Sequence, residues 1–267
     1  MNPLSLKERF EGGQSLFHDL DPRIKVVMSL GLILGILLTP EGAFPAYPLI
    51  WAVLGSMAVV SRVGVWRLAR LGGIALPFTL AALTLIFTTP GQPLLRLGGL
   101  VISDAGVVRF MGIALRSWLA AQAAILLSLT TPFTDLLWAL RSLRLPSTLV
   151  MITAFMYRYL FTLGEEAERL IRARASRSAS LPDQKGAGGS LWWRARVAGG
   201  MVGSLFLRSY ERSERVYAAM LSRGFDGELR GYNPPPFQWR SVLVGAIPLL
   251  AVALIQIMAF LWFRGVR

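Results

Sequence analysis

The sequence predicts an all-α, polytopic membrane protein with about five transmembrane helices and a long helical segment inserted on the cytoplasmic side. Three observations carry that prediction. Of 267 residues, 54% are hydrophobic and 16% charged, against about 25% charged in a typical soluble domain, and the mean hydropathy is +0.53. Apolar runs of membrane-crossing character recur along the chain, interrupted by Pro, Gly and Arg. Finally, 16 of the 28 Lys and Arg fall between Thr131 and Arg240, so the net charge of +13 belongs mainly to one segment. A basic excess suits nucleic acid, an anionic lipid surface or basic cytoplasmic loops. Its confinement between apolar runs selects the loops and sets nucleic acid aside. With no cysteine there is no disulfide framework, Cys-based metal site or thiol nucleophile.

In order, Met1–Leu20 is polar and mixed in charge, lacks the apolar core of a cleavable leader, and reads as a retained cytoplasmic lead-in. Asp21-Pro22 is a helix start, Asp as N-cap and Pro where its missing N–H costs nothing. Arg23 and Lys25 then read as positive-inside anchors. Ile24–Leu38 is a short first span, tilted or only partly crossing, closed by Pro40 and Pro45. Ala46–Val60 is the second. Arg62, Arg67 and Arg70 follow it, whereas the preceding loop has no Lys or Arg, which puts that loop outside and the basic one inside. Leu71–Thr88 is a third span, kinked at Pro77. The next stretch, PGQPLLRLGGLVISDAG, reads as an external loop. Gly106–Leu129 is a fourth span, in which Arg109 is expected to snorkel to the outer face and Arg116 to face the bundle interior.

From Thr131 the pattern changes. TPFTDLLWALRSLRLP, with Thr131 or Thr134 as N-cap, suits an amphipathic interfacial helix ending at Pro146. Ser147–Arg177 is one long helix, apolar in its first half and charged in its second, with Glu165→Arg169 and Glu168→Arg172 in the favourable order. After the loop Leu181–Ser190, a second long helix covers Leu191–Leu221, with Glu211→Arg215 as a further pair. Asn233–Pro236 breaks the chain, and Gln238–Phe263 is the last span. The domains are therefore 1–130, the lead-in and four spans; 131–237, an interfacial and cytoplasmic insertion; and 238–267, the final span.

The parts for catalysis are missing: one His, no paired carboxylates in a span, and no GxxxxGKS/T phosphate loop. His18, beside Asp19 and Asp21, is better explained as a surface or capping residue than as a metal ligand. The scattered Met residues read as packing. The feature left over is a repeat, Ser176-Arg177-Ser178 and Ser222-Arg223-Gly224, two copies about 46 residues apart at the ends of long helices. An Arg at such a tip offers a planar fork of donors to a carboxylate or a helix-end carbonyl, and a small neighbour lets a partner's backbone come close. The plainer explanation is that Arg177 and Arg223 only cap helix C-termini. Repetition in a membrane context favours docking to a cytoplasmic partner.

The sequence resembles the transmembrane T component of energy-coupling factor transporters, the CbiQ/EcfT family of cobalt type. The resemblance rests on His18 with Leu20-Asp21-Pro22-Arg23-Ile24-Lys25, on Arg169–Ser178, and on Tyr217-Ala218-Ala219-Met220 through Ser222-Arg223-Gly224-Phe225-Asp226-Gly227; it covers nearly the whole chain. It implies that 131–237 is a coupling domain of long crossed helices whose two Arg motifs dock into two ABC ATPase subunits (CbiO/EcfA-like). ATP-driven closure would then pass to a separate membrane subunit that binds substrate (a CbiM-like S component), for cobalt or nickel uptake. Arg177 and Arg223 would be the docking arginines, with Ser176, Ser178, Ser222 and Gly224 as close-packed neighbours; Asp21, Pro22, Arg23, Met220, Phe225, Asp226 and Gly227 would be structural motif residues. Ser178 stands where Gly is common, and Arg174 competes with Arg177 for the first motif. No cofactor and no catalysis are implied for this chain; its partners are the ATPases, the substrate subunit and the bilayer. The rival is a self-contained membrane scaffold or channel whose basic segment binds anionic lipid.

Overall fold

The computed structural model describes residues 15, 17, 20–97, 100–177, 190–227 and 239–265. The expectations at His18, Ser178, residues 181–189 and the Asn233–Pro236 break lie outside the described residues. Two compact units emerge. One holds the described chain up to Leu143 together with the last helix, the other the described chain from Arg144 to Gly227.

In the first unit, α1 (Pro22–Leu37) starts where Asp21-Pro22 predicts, and the Asp21 carboxylate accepts the Arg23 N–H at 2.9 Å. It packs on α6 (Asp104–Thr130), α7 (Phe133–Ser142) and α10 (Trp239–Gly265). With α2 (Ala46–Val60) and α3 (Val65–Gly72) these helices enclose a core in which Leu32, Ile36, Ile50, Leu54, Leu68 and Leu119 are at most 1% exposed. α6 and α10 are long and apolar enough to cross a membrane. At 1.5 Å per residue α1 and α2 reach about 24 and 22 Å, short of a ~30 Å hydrocarbon core.

The third expected span is broken. After α3 come a 3-10 turn (Gly73–Ala75), α4 (Leu76–Thr79), a second 3-10 turn (Leu80–Thr84) and α5 (Leu85–Thr88), and the flanking pieces Val65–Ala75 and Leu80–Thr88 are bent by 60°. Pro77, which cannot donate to a preceding turn, sits in that bend. By length and composition, two described helices can cross a membrane, or three if the bent pair counts as one span.

The helical class holds with one addition. The expected external loop contains an antiparallel hairpin, β1 (Pro93–Leu97) and β2 (Leu100–Ser103). Ser103 then caps α6 by accepting the Gly106 N–H at 3.0 Å. At Gly106 a Cβ would lie 2.7 Å from the Leu85 carbonyl oxygen and 2.8 Å from Ile86 Cα, so only glycine lets α6 meet the backbone of α5.

Several charged residues find partners that the sequence does not announce. Lys25, expected as a positive-inside anchor at the membrane boundary, is 2% exposed, and its Nζ donates to the Thr130 carbonyl at 3.2 Å. The reason is the C-terminus of α6, whose last carbonyls lack helical partners and attract a cation. Arg23 lies over the Trp138 ring of α7 at 4.2 Å. Arg109 is exposed but paired with Glu41 at 3.2 Å, and Arg116 donates to the Tyr47 hydroxyl at 3.3 Å. α7 begins after Pro132 with no side-chain cap, not at Thr131 or Thr134. It buries Leu137, Trp138 and Ala139 and packs on α1, which draws it into the first unit.

The second unit consists of α8 (Ser147–Arg177) and α9 (Leu191–Leu221), 31 residues each, with the ends the sequence predicts. Ser190 caps α9 through the Trp193 N–H at 3.2 Å. Neither helix has a buried residue.

Candidate functional site

The site is the pair of helix ends carrying the Ser-Arg repeat, and α8 and α9 position it. On α8, Glu165–Arg169 and Glu168–Arg172 pair at 3.8 and 3.2 Å, the exposed i,i+4 links expected of a solvated helix. Glu211 and Arg215 of α9 are exposed and form no such pair among the described residues. Sequence reasoning missed Glu166. Its carboxylate meets Arg169 at 3.7 Å and, across the unit, Arg208 of α9 at 2.6 Å. It is the most covered acid of the helix, with its side chain 19% exposed. This pair joins α8 and α9 near their midpoints. From Glu166 the helix runs on about 16 Å to Arg177, and from Arg208 about 20 Å to Leu221.

At the end of α9 the chain closes in a Schellman turn. Gly224 N–H donates to the Leu221 carbonyl and Phe225 N–H to the Met220 carbonyl, at 3.0 and 3.1 Å. Gly224 takes φ +78, the left-handed conformation this turn requires. The motif residues Met220, Gly224 and Phe225 are thus brought together as one cap, and Asp226 and Gly227 follow it, exposed. Ser222 Oγ bonds back to the Ala219 carbonyl at 3.0 Å, which leaves the exposed Arg223 guanidinium as the group offered at the tip.

The end of α8 repeats part of this arrangement. Ser176 Oγ bonds back to the Arg172 carbonyl at 3.0 Å, and Arg177 is exposed as the last residue of the helix. Arg174, the competing candidate, is half-buried and engaged in an interaction of its own. Ser178 lies outside the described residues. Asp21, Pro22 and Arg23 are not at the tips; they anchor α1, where the Asp21 N–H also meets Ser241 Oγ of α10 at 3.4 Å. Among the described residues, no cluster of three His, Cys, Asp or Glu could hold a metal ion.

Apart from the tips, both helices carry exposed apolar stripes at helical spacing. Leu149, Ile152, Met156 and Leu160 on α8 are all more than half exposed, as are Val202, Phe206 and Tyr210 on α9. Such stripes mark surfaces made to be covered.

A family model described as CbiQ, cobalt transport protein, matches residues 13–233. The chain is 30% identical to the energy-coupling factor transporter transmembrane protein EcfT of Thermanaerovibrio acidaminovorans, over 88% of this chain and 90% of that one. It is 27% identical to the cobalt transport protein CbiQ of Rhodobacter capsulatus over 70% and 71% of the two chains. It is also 30% identical to the nickel permease LarQ of Lactiplantibacillus plantarum over 60% of this chain and 54% of that one. The chain therefore belongs to the CbiQ family of cobalt transport proteins, as a non-catalytic membrane component of the energy-coupling factor type.

Proposed function

We propose that this chain transmits ATP-driven closure of two cytoplasmic ABC ATPases (CbiO/EcfA-like) to a separate substrate-binding membrane subunit (CbiM-like). Residues 131–237 form the coupling segment in this reading. The observation that carries it is the repeated tip: an exposed arginine at the end of a long helix, its preceding serine folded back onto that helix, in both copies. Arg177 and Arg223 each enter a groove of one ATPase, where the guanidinium fork meets carboxylates or helix-end carbonyls. Arg177 rather than Arg174 takes the first groove, because it stands exposed at the helix end. The uncovered stripes of α8 and α9 hold the substrate subunit, so that movement of the tips becomes movement of that subunit. In this reading α1 and α2 cross the membrane as tilted or partial spans, giving five in all. The cargo is cobalt or nickel, the ions named for the family and for one relative.

The test is co-purification from detergent of the chain with ATPases encoded by the same genome, wild type against Arg177→Glu/Arg223→Glu. Capture by wild type that is lost in the double variant, with membrane insertion unchanged, supports docking. Equal capture in both, or none in either, returns the two arginines to helix caps and favours a lipid-binding scaffold. Uptake of labelled cobalt and nickel by the reconstituted complex decides the cargo.

A further inference from the structure

The turn after α2 has the same hydrogen-bond pattern as the end of α9, with one substitution that a cap alone does not explain. Val63 N–H donates to the Ala58 carbonyl and Arg62 N–H to the Val59 carbonyl, both at 3.0 Å, another Schellman turn. At α9 the left-handed residue is Gly224; here it is Arg62, with φ +57. A side chain in that conformation costs free energy that glycine avoids. The turn is nonetheless firmly seated, since Ser61 and Val63 on either side of Arg62 are 2% and 5% exposed. A pinned turn therefore aims one guanidinium outward.

The next helix continues that surface. α3 buries Leu68 and Gly72 and exposes Trp66, Arg67 and Arg70; Trp66 is 83% exposed. Trp66 and Arg70 are four apart and share a face, so an indole lies beside a guanidinium on the outer side of the helix. Among the described residues no carboxylate pairs with Arg62 or Arg70. The segment follows directly on the apolar helix α2; with α2 crossing as in the five-span reading, it lies at a membrane boundary, where an indole lies at headgroup level and arginine meets phosphate.

We propose that the α2–α3 turn and the outer face of α3 bind the headgroups of anionic phospholipids, with Arg62 and Arg70 on the phosphates and Trp66 seated beside them at headgroup level. Arg62 and Arg70 bring charge of one sign, with no carboxylate paired to either among the described residues, which an anionic bilayer complements and a zwitterionic one does not. Strain at Arg62 is kept because glycine, which would relieve it, would remove the headgroup contact. This inference rests on the five-span reading above and not on the coupling role of α8 and α9.

The experiment is native mass spectrometry of the full chain released from phosphatidylcholine discs with and without phosphatidylglycerol. The variants are Arg62→Gly, Arg70→Gln and both together, with Arg109→Gln as control because Arg109 is already paired with Glu41. Arg62→Gly suits the observed backbone, so its melting temperature should equal or exceed that of wild type. Retention of phosphatidylglycerol should fall about fivefold for each arginine removed, and about 25-fold in the double variant; phosphatidylcholine retention and Arg109→Gln should match wild type. Unchanged retention in the double variant overturns the proposal. So does an equal loss in Arg109→Gln, which would make the effect one of net charge, or a lower melting temperature in Arg62→Gly, which would make Arg62 structural. If the double variant keeps its lipid but loses ATPase capture, the face belongs to a protein partner and the proposal also fails.

Discussion

Leu32, Ile36, Ile50 and Leu54 of α1 and α2 are almost wholly enclosed by their own chain, while α8 and α9, together 62 residues long, bury no side chain at all. The two regions differ in apolar content, since α8 and α9 carry many more charged residues, and also in where that content finds a partner. In the first unit, neighbouring helices enclose a core of it, although outward residues such as Leu34 and Leu254 stay exposed, and some polar groups find partners inside: Lys25 with the Thr130 carbonyl, Arg116 with the Tyr47 hydroxyl. In the second unit, the internal links are exposed ion pairs, which hold helices weakly, and the stripes remain open. The contrast separates residues enclosed by their own chain from residues left open to another surface.

Three substitutions test that separation. Leu54→Ala removes a fully enclosed side chain and should cost about 2–5 kcal/mol, read as a lowered melting temperature of the chain in detergent; a change under 1 kcal/mol would mean the core of the first unit is not the stabilising one. Gly224→Ala forces a side chain into the left-handed cap of α9 and should cost about 1 kcal/mol locally. Amide exchange should quicken over the last turn of α9, and ATPase capture should weaken several-fold; unaltered exchange would show that the cap does not depend on glycine. The smallest effect belongs to Phe206→Ala. Its ring is 66% exposed, so the isolated chain should keep its stability within about 0.5 kcal/mol while the assembled transporter loses activity. A large loss of stability in the isolated chain would mean that the stripe is covered from within.

Local features of this architecture were legible from sequence. Asp21-Pro22 announces α1, and the run of acid–base pairs from Glu165 to Arg172 shows that Ser147–Arg177 continues as one helix past its apolar half. The Ser-Arg repeat is a pattern along the chain and could be found there. Features made across the chain were not legible. Lys25 finds a backbone carbonyl 105 residues away, Arg109 a carboxylate 68 away, and Glu166 an arginine 42 away; nothing near those residues signals such partners. The hairpin escaped because PLLRL and LVIS, read singly, are too short to distinguish from loop. Arg62 escaped for the opposite reason: glycine marks a left-handed cap, and here the chain uses an arginine instead.

The meeting point of α8 and α9 has a mechanical consequence. Glu166 and Arg208 do not divide their helices equally. On α8 the arm from Glu166 back to Ser147 is about 28 Å and the arm out to Arg177 about 16 Å; on α9 the arms from Arg208 are about 26 Å to Leu191 and 20 Å to Leu221. A rigid rotation about that point moves the far end of α8 about 1.7 times as far as its arginine tip, and the far end of α9 about 1.3 times as far as its own. Force applied at the arginine tips would act on the short arms of two crossed levers.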